Sequence, residues 1–178
     1  DVSLRDAIGR WWQGPTIQVD FNEPERFDVT YTDADGESKR VVMVHRTVLG
    51  SMERFVAGLV EHHAGAFPTW LAPVQAIVLP VADRHARHAV EVRDRLRAAD
   101  IRAEADDRSE TLNRKIRDAQ NQKIPYMLVV GDREVESDQV AVRTREEGDR
   151  GPTDLSDFIA EVRAEVAQAT QPPDHAPS

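Results

Sequence analysis

Cysteine is absent from the chain, and this absence limits the chemistry available to it. Without thiols, its 178 residues cannot form a disulfide, supply a thiolate nucleophile or build a zinc–thiolate site. Any metal ligands must be His, Asp or Glu side chains. Long apolar runs are also absent, since segments such as 77–82 fall far short of the roughly 20 residues that cross a membrane. We therefore expect a cytoplasmic protein with no membrane partner.

A surplus of basic residues is lacking as well. Lys and Arg number 23 against 32 Asp and Glu, which gives a formal net charge of −9. Binding nucleic acid over a whole surface depends on Lys and Arg that displace counterions from phosphates. The balance therefore excludes a generally basic surface and argues against a DNA partner. If RNA binds, it binds locally.

The first 70 residues predict two helices and an antiparallel sheet. Apolar residues at helical spacing predict a short helix at 3–12, with Ser3 as its possible N-cap. Alternating polar and apolar residues predict strands, and the helical pattern then returns; these segments are strands 16–21, 27–31 and 41–45, a turn at 33–36, and a helix at 51–63. Such a piece cannot readily enclose a core of its own. We expect a fragment whose missing partners precede Asp1.

After residues 68–73 the pattern changes to strands that alternate with helices, which predicts parallel pairing in a covered sheet. The predicted strands are 74–79, 101–105, 126–130 and 139–144, and the predicted helices are 83–99, 111–122 and 154–167. Arg133 and Glu134 are predicted in a turn. We divide the chain into an antiparallel piece at 1–70, an α/β domain at 71–169 and a disordered tail at 170–178, which contains three prolines.

One segment, 45–55, joins a predicted strand to a predicted helix through Gly50. It places Arg54 in the first turn of the helix, where an Arg and backbone N–H groups can together meet a nucleotide phosphate. Spacing alone favours the plainer interpretation of Arg54 as an exposed surface residue. A lone His45 is likewise more often a structural histidine than a metal ligand.

Several longer segments of the chain, which occur in the same order in a known family, change these odds. The strings 12–13, 16–21, 24–27, 42–46 and 50–55 resemble the end of the catalytic domain of bacterial threonyl-tRNA synthetases. Further strings resemble the anticodon-binding domain of the same family, at 66–75, 107–108, 115–117, 125–132 and 140–143. The resemblance implies an α/β fold, in which an antiparallel-sheet remnant of a class II synthetase catalytic domain precedes a mixed-sheet α/β anticodon-binding domain.

For the catalytic part, the resemblance implies an ATP site. The segment 50–54 matches motif three of class II synthetases, whose arginine contacts ATP, so Arg54 is implied as the catalytic ATP ligand. Gln13, Thr16 and Ser51 match further ATP-binding positions, although polar alternation on a half-exposed strand explains Thr16 nearly as well. ATP would enter with Mg²⁺.

The resemblance also implies a zinc and threonine site. His45 matches the last Zn²⁺ ligand of the family, and Gln18 and His45 match positions that bind threonine. In that family the zinc takes up the amino and hydroxyl groups of threonine, and a pocket that ligates a hydroxyl rejects valine. The other zinc ligands and the motif-two arginine are expected before Asp1.

For the second part, the resemblance implies anticodon contacts from Glu134 and Arg143. A carboxylate can accept from a base amino or imino group, and an Arg can reach a guanine edge or a phosphate. Without the resemblance, an exposed salt bridge across a hairpin would be the better interpretation. Ser109 and Thr111 stand where the resemblance leads us to expect an Asn and a Lys.

The leading hypothesis is therefore the C-terminal portion of a threonine–tRNA ligase, inactive by itself. Its partners would be threonine, ATP and tRNA(Thr), and the full-length enzyme would be a homodimer. A stand-alone, non-catalytic tRNA-binding module that uses only 74–169 is the main alternative. A flavodoxin-like small-ligand domain is disfavoured because no Gly-rich phosphate loop follows the strand that ends at Leu79.

Overall fold

A computed structural model describes residues 1–171 and divides the chain into two compact units, Asp1–Gly65 and Ala66–Ser178. None of the helices in this described part is long and apolar enough to cross a membrane. The predicted disordered tail falls largely on residues 172–178, which lie outside the described residues.

The first unit is built from short antiparallel pairs and two helices. Its elements are β1 (Ser3–Arg5), β2 (Trp11–Gln13), β3 (Thr16–Asp20), α1 (Asn22–Arg26), β4 (Thr30–Thr32), β5 (Ser38–Arg40), β6 (Met43–Thr47) and α2 (Met52–His62). The antiparallel pairs are β1 with β2, β3 with β6, and β4 with β5. Within the described residues, neither apolar core cluster includes this unit.

The predicted helix at 3–12 is wrong, because this segment is the β1–β2 hairpin. The Asp6 carboxylate accepts hydrogen bonds from the backbone N–H groups of Ile8 and Arg10, at 3.1 and 2.7 Å. Such side-chain bonds offer the backbone an alternative to helical bonding. Gly9, at φ +87°, completes a turn that a helix would not allow. Ser3 therefore begins a strand and caps no helix.

The strand predicted at 27–31 is only partly correct. Phe27 is the C-cap of α1, and Asp28 has a φ of +51°, so extended backbone begins only with β4 at Thr30. The predicted strand at 16–21 and helix at 51–63 correspond to β3 and α2. These two elements carry three of the six candidate site residues of this unit, Thr16 and Gln18 on β3 and Arg54 on α2.

The second unit is a five-stranded mixed sheet covered by helices. Its elements are β7 (Ala76–Pro80), a 3₁₀ turn (Asp83–His85), α3 (Ala86–Ala98), β8 (Ala103–Ala105), α4 (Leu112–Asn121), β9 (Tyr126–Val130), α5 (Asp132–Ser137), β10 (Gln139–Thr144), β11 (Gly148–Asp154) and α6 (Leu155–Ala169). The strand order is β11-β10-β9-β7-β8. β7 pairs in parallel with β8 and β9, whereas β10 pairs antiparallel with β9 and β11. The predicted mixed α/β fold is confirmed.

One local prediction in this unit is wrong, and one strand was missed. Arg133 and Glu134 lie in helix α5 and not in a turn. Strand β11 was not predicted at all, because Gly148, Gly151 and Pro152 are residues that strands generally avoid. Their presence is tolerated here because β11 is the outermost strand of the sheet.

The two faces of this sheet are covered unequally. On one face, Val140 and Val142 of β10 are 0–1 % exposed and belong to the core cluster that includes Phe158 of α6. On the other face, a smaller cluster joins Met127 of β9 to Ala119 of α4. The β10 side chains that point to this second face are only half-buried: Gln139, Ala141 and Arg143. Part of the α4 side of the sheet is therefore open.

Candidate functional site

In the first unit, a cavity of about 490 Å³ brings the predicted ATP residues Gln13 and Arg54 together. The guanidinium carbon of Arg54 lies 5.2 Å from the centre of the Trp12 ring, which is within cation–π range. The ring thus provides a surface that limits where the Arg54 side chain can lie. A cavity of this size is in the range of small-molecule sites.

Trp12 is itself held in place by Asp6. The indole N–H donates to Asp6 Oδ2 at 2.9 Å, and Arg10 Nε donates to the same carboxylate oxygen at 2.7 Å. These donors, Trp12 first, hold the pKa of Asp6 well below its usual range. Asp6 is therefore an anion that fixes the ring beneath Arg54, a role that sequence reasoning missed because the segment was taken for a helix.

The remaining predicted ATP residues lie elsewhere. Ser51 is the N-cap of α2, where its Oγ donates to Glu53 at 2.8 Å. Thr16 lines a separate cavity, and its hydroxyl donates to the Asp1 carboxylate. The structure therefore brings Gln13 and Arg54 together, but it does not bring Thr16 or Ser51 into their cavity.

Two glycines allow the backbone to fold closely around the start of α2. Gly50 has a φ of +72°, a region that favours glycine, and a Cβ there would lie 2.9 Å from the carbonyl oxygen of Gly14. This close approach places the chain before β3 against the loop before α2. A side chain at position 50 would force these segments apart.

His45 and Gln18 are directly opposite each other on β6 and β3, so the two predicted threonine-binding residues share one face. His45 Nε2 lies 3.2 Å from Asp20 Oδ2 and 3.6 Å from Glu23 Oε2. Within residues 1–171, these three side chains form the one group of three or more that could hold a metal ion. Imidazole and carboxylate are both donors that zinc accepts.

In the second unit, the predicted anticodon residues occupy opposite ends of β9. Arg143 lies on the open part of the α4 face and pairs with Met127, the second residue of that strand. Glu134 lies in α5, beyond the end of β9 at Val130, and accepts a hydrogen bond from the Gly131 N–H at 2.8 Å. The strand residues between Met127 and Val130 span about 10 Å. The two residues therefore lie at opposite ends of the strand and do not form one contact point.

The start of α5 is tied to the loop after β7. Asp132 accepts from Arg84 Nη2 at 2.6 Å and lies 2.8 Å from His85 Nε2. The Arg84 guanidinium, and then His85, lower the pKa of Asp132 well below its usual range. These contacts fix the orientation of the helix that carries Glu134.

The loop before α4 offers less free positive charge than its sequence suggests. Arg108 donates to both oxygens of Asp106, at 2.8 and 2.6 Å, and also to Asp118 at 2.9 Å. Ser109 donates to Asp83 at 3.0 Å. Lys115 is only 2 % exposed. RNA contacts by a general basic patch are therefore not supported here.

Arg143 has a partner that sequence reasoning missed. Its Nη1 donates to Asp149 Oδ2 at 3.0 Å, and its Nε is buried with no hydrogen-bond partner among the described residues. Asp149 belongs to β11, the strand that was not predicted. An Asp between Gly148 and Arg150 carried no signal that could have revealed the pairing.

Comparisons with known proteins match both units of the chain. A family model described as "tRNA synthetase class II core domain (G, H, P, S and T)" matches residues 1–63, and one described as "Anticodon binding domain" matches residues 75–165. A curated threonine–tRNA ligase of Caldanaerobacter subterraneus subsp. tengcongensis is 55 % identical over 167 residues, which cover 94 % of this chain and 26 % of that protein. One of Dehalococcoides mccartyi strain BAV1 is 61 % identical over 145 residues, or 82 % of this chain and 25 % of that protein.

A solved structure is also similar, the RNA binding domain of threonyl-tRNA synthetase from Cryptosporidium parvum Iowa II. It has a TM-score of 0.80 and 35 % identity, and the match covers 92 % of this chain and 42 % of that one. The chain spans about a quarter of the length of the curated relatives it matches. The chain belongs to the threonyl-tRNA synthetase family of class II aminoacyl-tRNA synthetases, and it comprises part of the class II core followed by the anticodon-binding domain.

Proposed function

We propose that this chain is the C-terminal portion of a threonine–tRNA ligase and that its second unit binds the anticodon of tRNA(Thr). The observation that carries the proposal is the open part of the α4 face, where the half-buried Arg143 lies within the segment that matches the anticodon-binding family. Single-stranded RNA is recognised by hydrogen bonds to base edges and by stacking, so an acidic protein can read it through a small surface.

In this proposal Arg143 and Glu134 contact anticodon bases at the two ends of the surface. The stretch of β9 from Met127 to Val130 lies between them and spans about 10 Å, which is more than the roughly 3.4 Å between neighbouring stacked bases, so the two residues would contact different bases. The Arg143 guanidinium would donate to base acceptors, and Glu134 would accept from a base amino or imino group. Because Glu134 already accepts the Gly131 N–H through Oε2, its other carboxylate oxygen would serve the base.

The first unit would contribute one wall of the active site in the complete ligase. Arg54, oriented by Trp12, would bind ATP phosphate, and Gln13 would line the same cavity. Attack of the threonine carboxylate on the α-phosphorus would release pyrophosphate and give threonyl-adenylate. The threonyl group would then pass to a ribose hydroxyl at the tRNA terminus. The positive charge of Arg54 beside the phosphate would stabilise the negative charge that develops during the attack.

Ser51, Thr16, Gln18 and His45 have supporting roles in the proposal. Ser51 and Thr16 would position the ATP-binding segments, and Gln18 would face threonine beside His45. His45 would hold Zn²⁺, and the neighbouring Asp20 carboxylate suits such a site. Bound zinc would supply a Lewis acid that discriminates threonine from valine by its hydroxyl. Mg²⁺ would accompany ATP, and the complete ligase would be a cytoplasmic homodimer.

The RNA half of the proposal is tested by titrating the purified 178-residue chain with labelled tRNA(Thr) and with tRNAs of other specificity. We expect selective binding of tRNA(Thr), and equal affinity for all tRNAs would contradict the proposal. Arg143→Gln should remove selectivity, whereas Arg87→Gln, which changes an exposed arginine of α3 that is 92 % accessible, should not.

The catalytic half is tested separately in the full-length protein. Threonine-dependent exchange of pyrophosphate into ATP is expected, and Arg54→Ala should reduce it. A non-catalytic RNA-binding module is the alternative, and the restriction of both described core clusters to the second unit favours it as a self-sufficient domain. RNA binding without any exchange activity in the full-length protein would establish that alternative.

A further inference from the structure

A β-bulge decides which residue faces Arg143. Val142 of β10 pairs with Gly151 of β11, but the next residue, Arg143, pairs with Asp149. Arg150 is thus the extra residue of the bulge. Gly151 has a φ of +84°, a conformation that glycine adopts without a steric penalty. With regular pairing, Arg150 would stand opposite Arg143, and directly opposed like charges are destabilising.

The bulge sends the two arginines to different faces of the sheet. Arg150 forms a two-bond pair with Glu161 of α6, Nη1 to Oε1 at 2.7 Å and Nη2 to Oε2 at 3.1 Å. Its charge is therefore paired with Glu161 on the side of the sheet that α6 covers. Arg143 remains on the open α4 side, and Asp149 faces it. Bulges commonly redirect side chains next to functional sites.

Asp149 is held at both oxygens. Its Oδ1 accepts the Gly151 N–H at 3.0 Å, and its Oδ2 accepts Arg143 Nη1 at 3.0 Å. The carboxylate is therefore fixed to the backbone of the bulge and cannot follow the guanidinium as it moves. A mobile surface ion pair would lack this anchor.

The contact occupies only part of the Arg143 guanidinium. A guanidinium has five N–H donors in one plane. Asp149 takes one of them, and the Nε–H is buried without a partner in the described part of the chain. The donors at the Nη end remain, and two such donors match the O6 and N7 acceptors of guanine.

We propose that Asp149 is a positioning residue that fixes the Arg143 guanidinium for a guanine base in single-stranded RNA. This inference rests on the proposed function, because it requires the open face to bind RNA. Asp149 itself repels phosphate, so its effect on affinity and its effect on selectivity have opposite signs. Asp149 lowers binding to all RNA and raises the preference for guanine.

The test uses the full 178-residue chain and an RNA hairpin that carries a threonine anticodon. Three hairpins differ only at the central anticodon base, which is guanine, adenine or 7-deazaguanine. The last lacks only the N7 acceptor, so it reports the geometry of the Arg contact. Dissociation constants are measured for the original chain, Asp149→Ala, Asp149→Asn and Arg143→Gln.

We expect Asp149→Ala to reduce the preference for guanine over 7-deazaguanine by roughly tenfold, within the range for one bidentate contact. Affinity for the adenine hairpin should stay equal or rise. Asp149→Asn has one acceptor oxygen where Asp149 uses two, so it can accept from Arg143 or from the Gly151 N–H but not from both, and it should lose most of the preference. Asp157→Ala is the matched control, because it removes the same charge from an exposed site on α6. It should leave the preference unchanged.

The outcomes separate this inference from the proposed function. If the original chain shows no guanine preference, the anticodon proposal fails. If Arg143→Gln abolishes the preference but Asp149→Ala keeps it, the role of Asp149 is refuted while anticodon binding stands. Equal loss of affinity for all three hairpins, together with a lower melting temperature for Asp149→Ala, would show a purely structural role and would also refute the inference.

Discussion

The stacking of Arg54 on Trp12 predicts a specific coupling between the two residues in the complete ligase. A cation–π contact at 5.2 Å is worth about 0.5–2 kcal/mol, so Trp12→Ala should lower kcat/KM for ATP by roughly 2- to 30-fold. Removing a charged partner of phosphate costs about 2–5 kcal/mol, so Arg54→Ala should lower it by roughly 30-fold or more. If Trp12 acts through Arg54, the double variant should be no worse than Arg54→Ala alone.

The assay is threonine-dependent exchange of pyrophosphate into ATP, measured over a range of ATP concentrations. Trp11→Ala is the control, because Trp11 is the neighbouring tryptophan, is 68 % exposed and lies 5.8 Å from a different arginine, Arg5. It should leave kcat/KM unchanged. An effect of Trp12→Ala that persists in full in the Arg54→Ala background would refute the coupling.

Three further predictions concern the second unit. Phe158→Ala, at a fully buried position, should lower the free energy of unfolding by about 3–5 kcal/mol in a denaturant titration, and a loss below 1 kcal/mol would contradict the assigned core. The Arg108 guanidinium lowers the pKa of Asp106 in the folded protein. The stability that this interaction contributes is fully present above the pKa of Asp106 in the unfolded chain, about 4, and it is lost as pH falls through the lower pKa of the folded state. Acid unfolding of Asp106→Asn should accordingly depend less steeply on pH, and an unchanged profile would contradict this. Lys115→Met should change the unfolding free energy by less than about 1.5 kcal/mol. Among the described residues, the hydrogen bond of Lys115 Nζ is a 3.4 Å contact with Pro80 O, and Asp106 keeps Arg108 as its partner. A loss above about 3 kcal/mol would show that the buried charge is needed.

Elements of the first unit differ in how far short-range sequence patterns determine them. Polar and apolar residues alternate at 16–21, and apolar residues recur at helical spacing at 51–63. Each pattern reflects the side of the local backbone that is apolar, and β3 and α2 lie at these segments. The apolar residues at 3–12 fit helical spacing as well as those at 51–63 do. The Asp6 carboxylate, however, accepts hydrogen bonds from the N–H groups of Ile8 and Arg10 and stabilises a hairpin turn. Spacing of apolar residues cannot reveal such a side-chain contact.

The same distinction applies to the candidate sites. The resemblance pointed to Gln13 and Arg54, and the structure places both in one cavity, but it places Thr16 in another. No sequence pattern predicted Asp149 as the partner of Arg143, because the pairing depends on a bulge in an unpredicted strand. Which residues line a shared surface is a property of register, and register follows from contacts between distant segments.

If the second unit reads the anticodon, recognition should move with the anticodon when it is transplanted into another tRNA. The threonine anticodon is placed in a tRNA of another specificity that the 178-residue chain does not bind, and the dissociation constant is measured before and after the exchange. We expect that affinity rises to within a few fold of that for tRNA(Thr), and that Arg143→Gln abolishes the gain. Unchanged weak binding of the altered tRNA, with tRNA(Thr) still bound selectively, would show that the chain recognises tRNA outside the anticodon and would contradict the account.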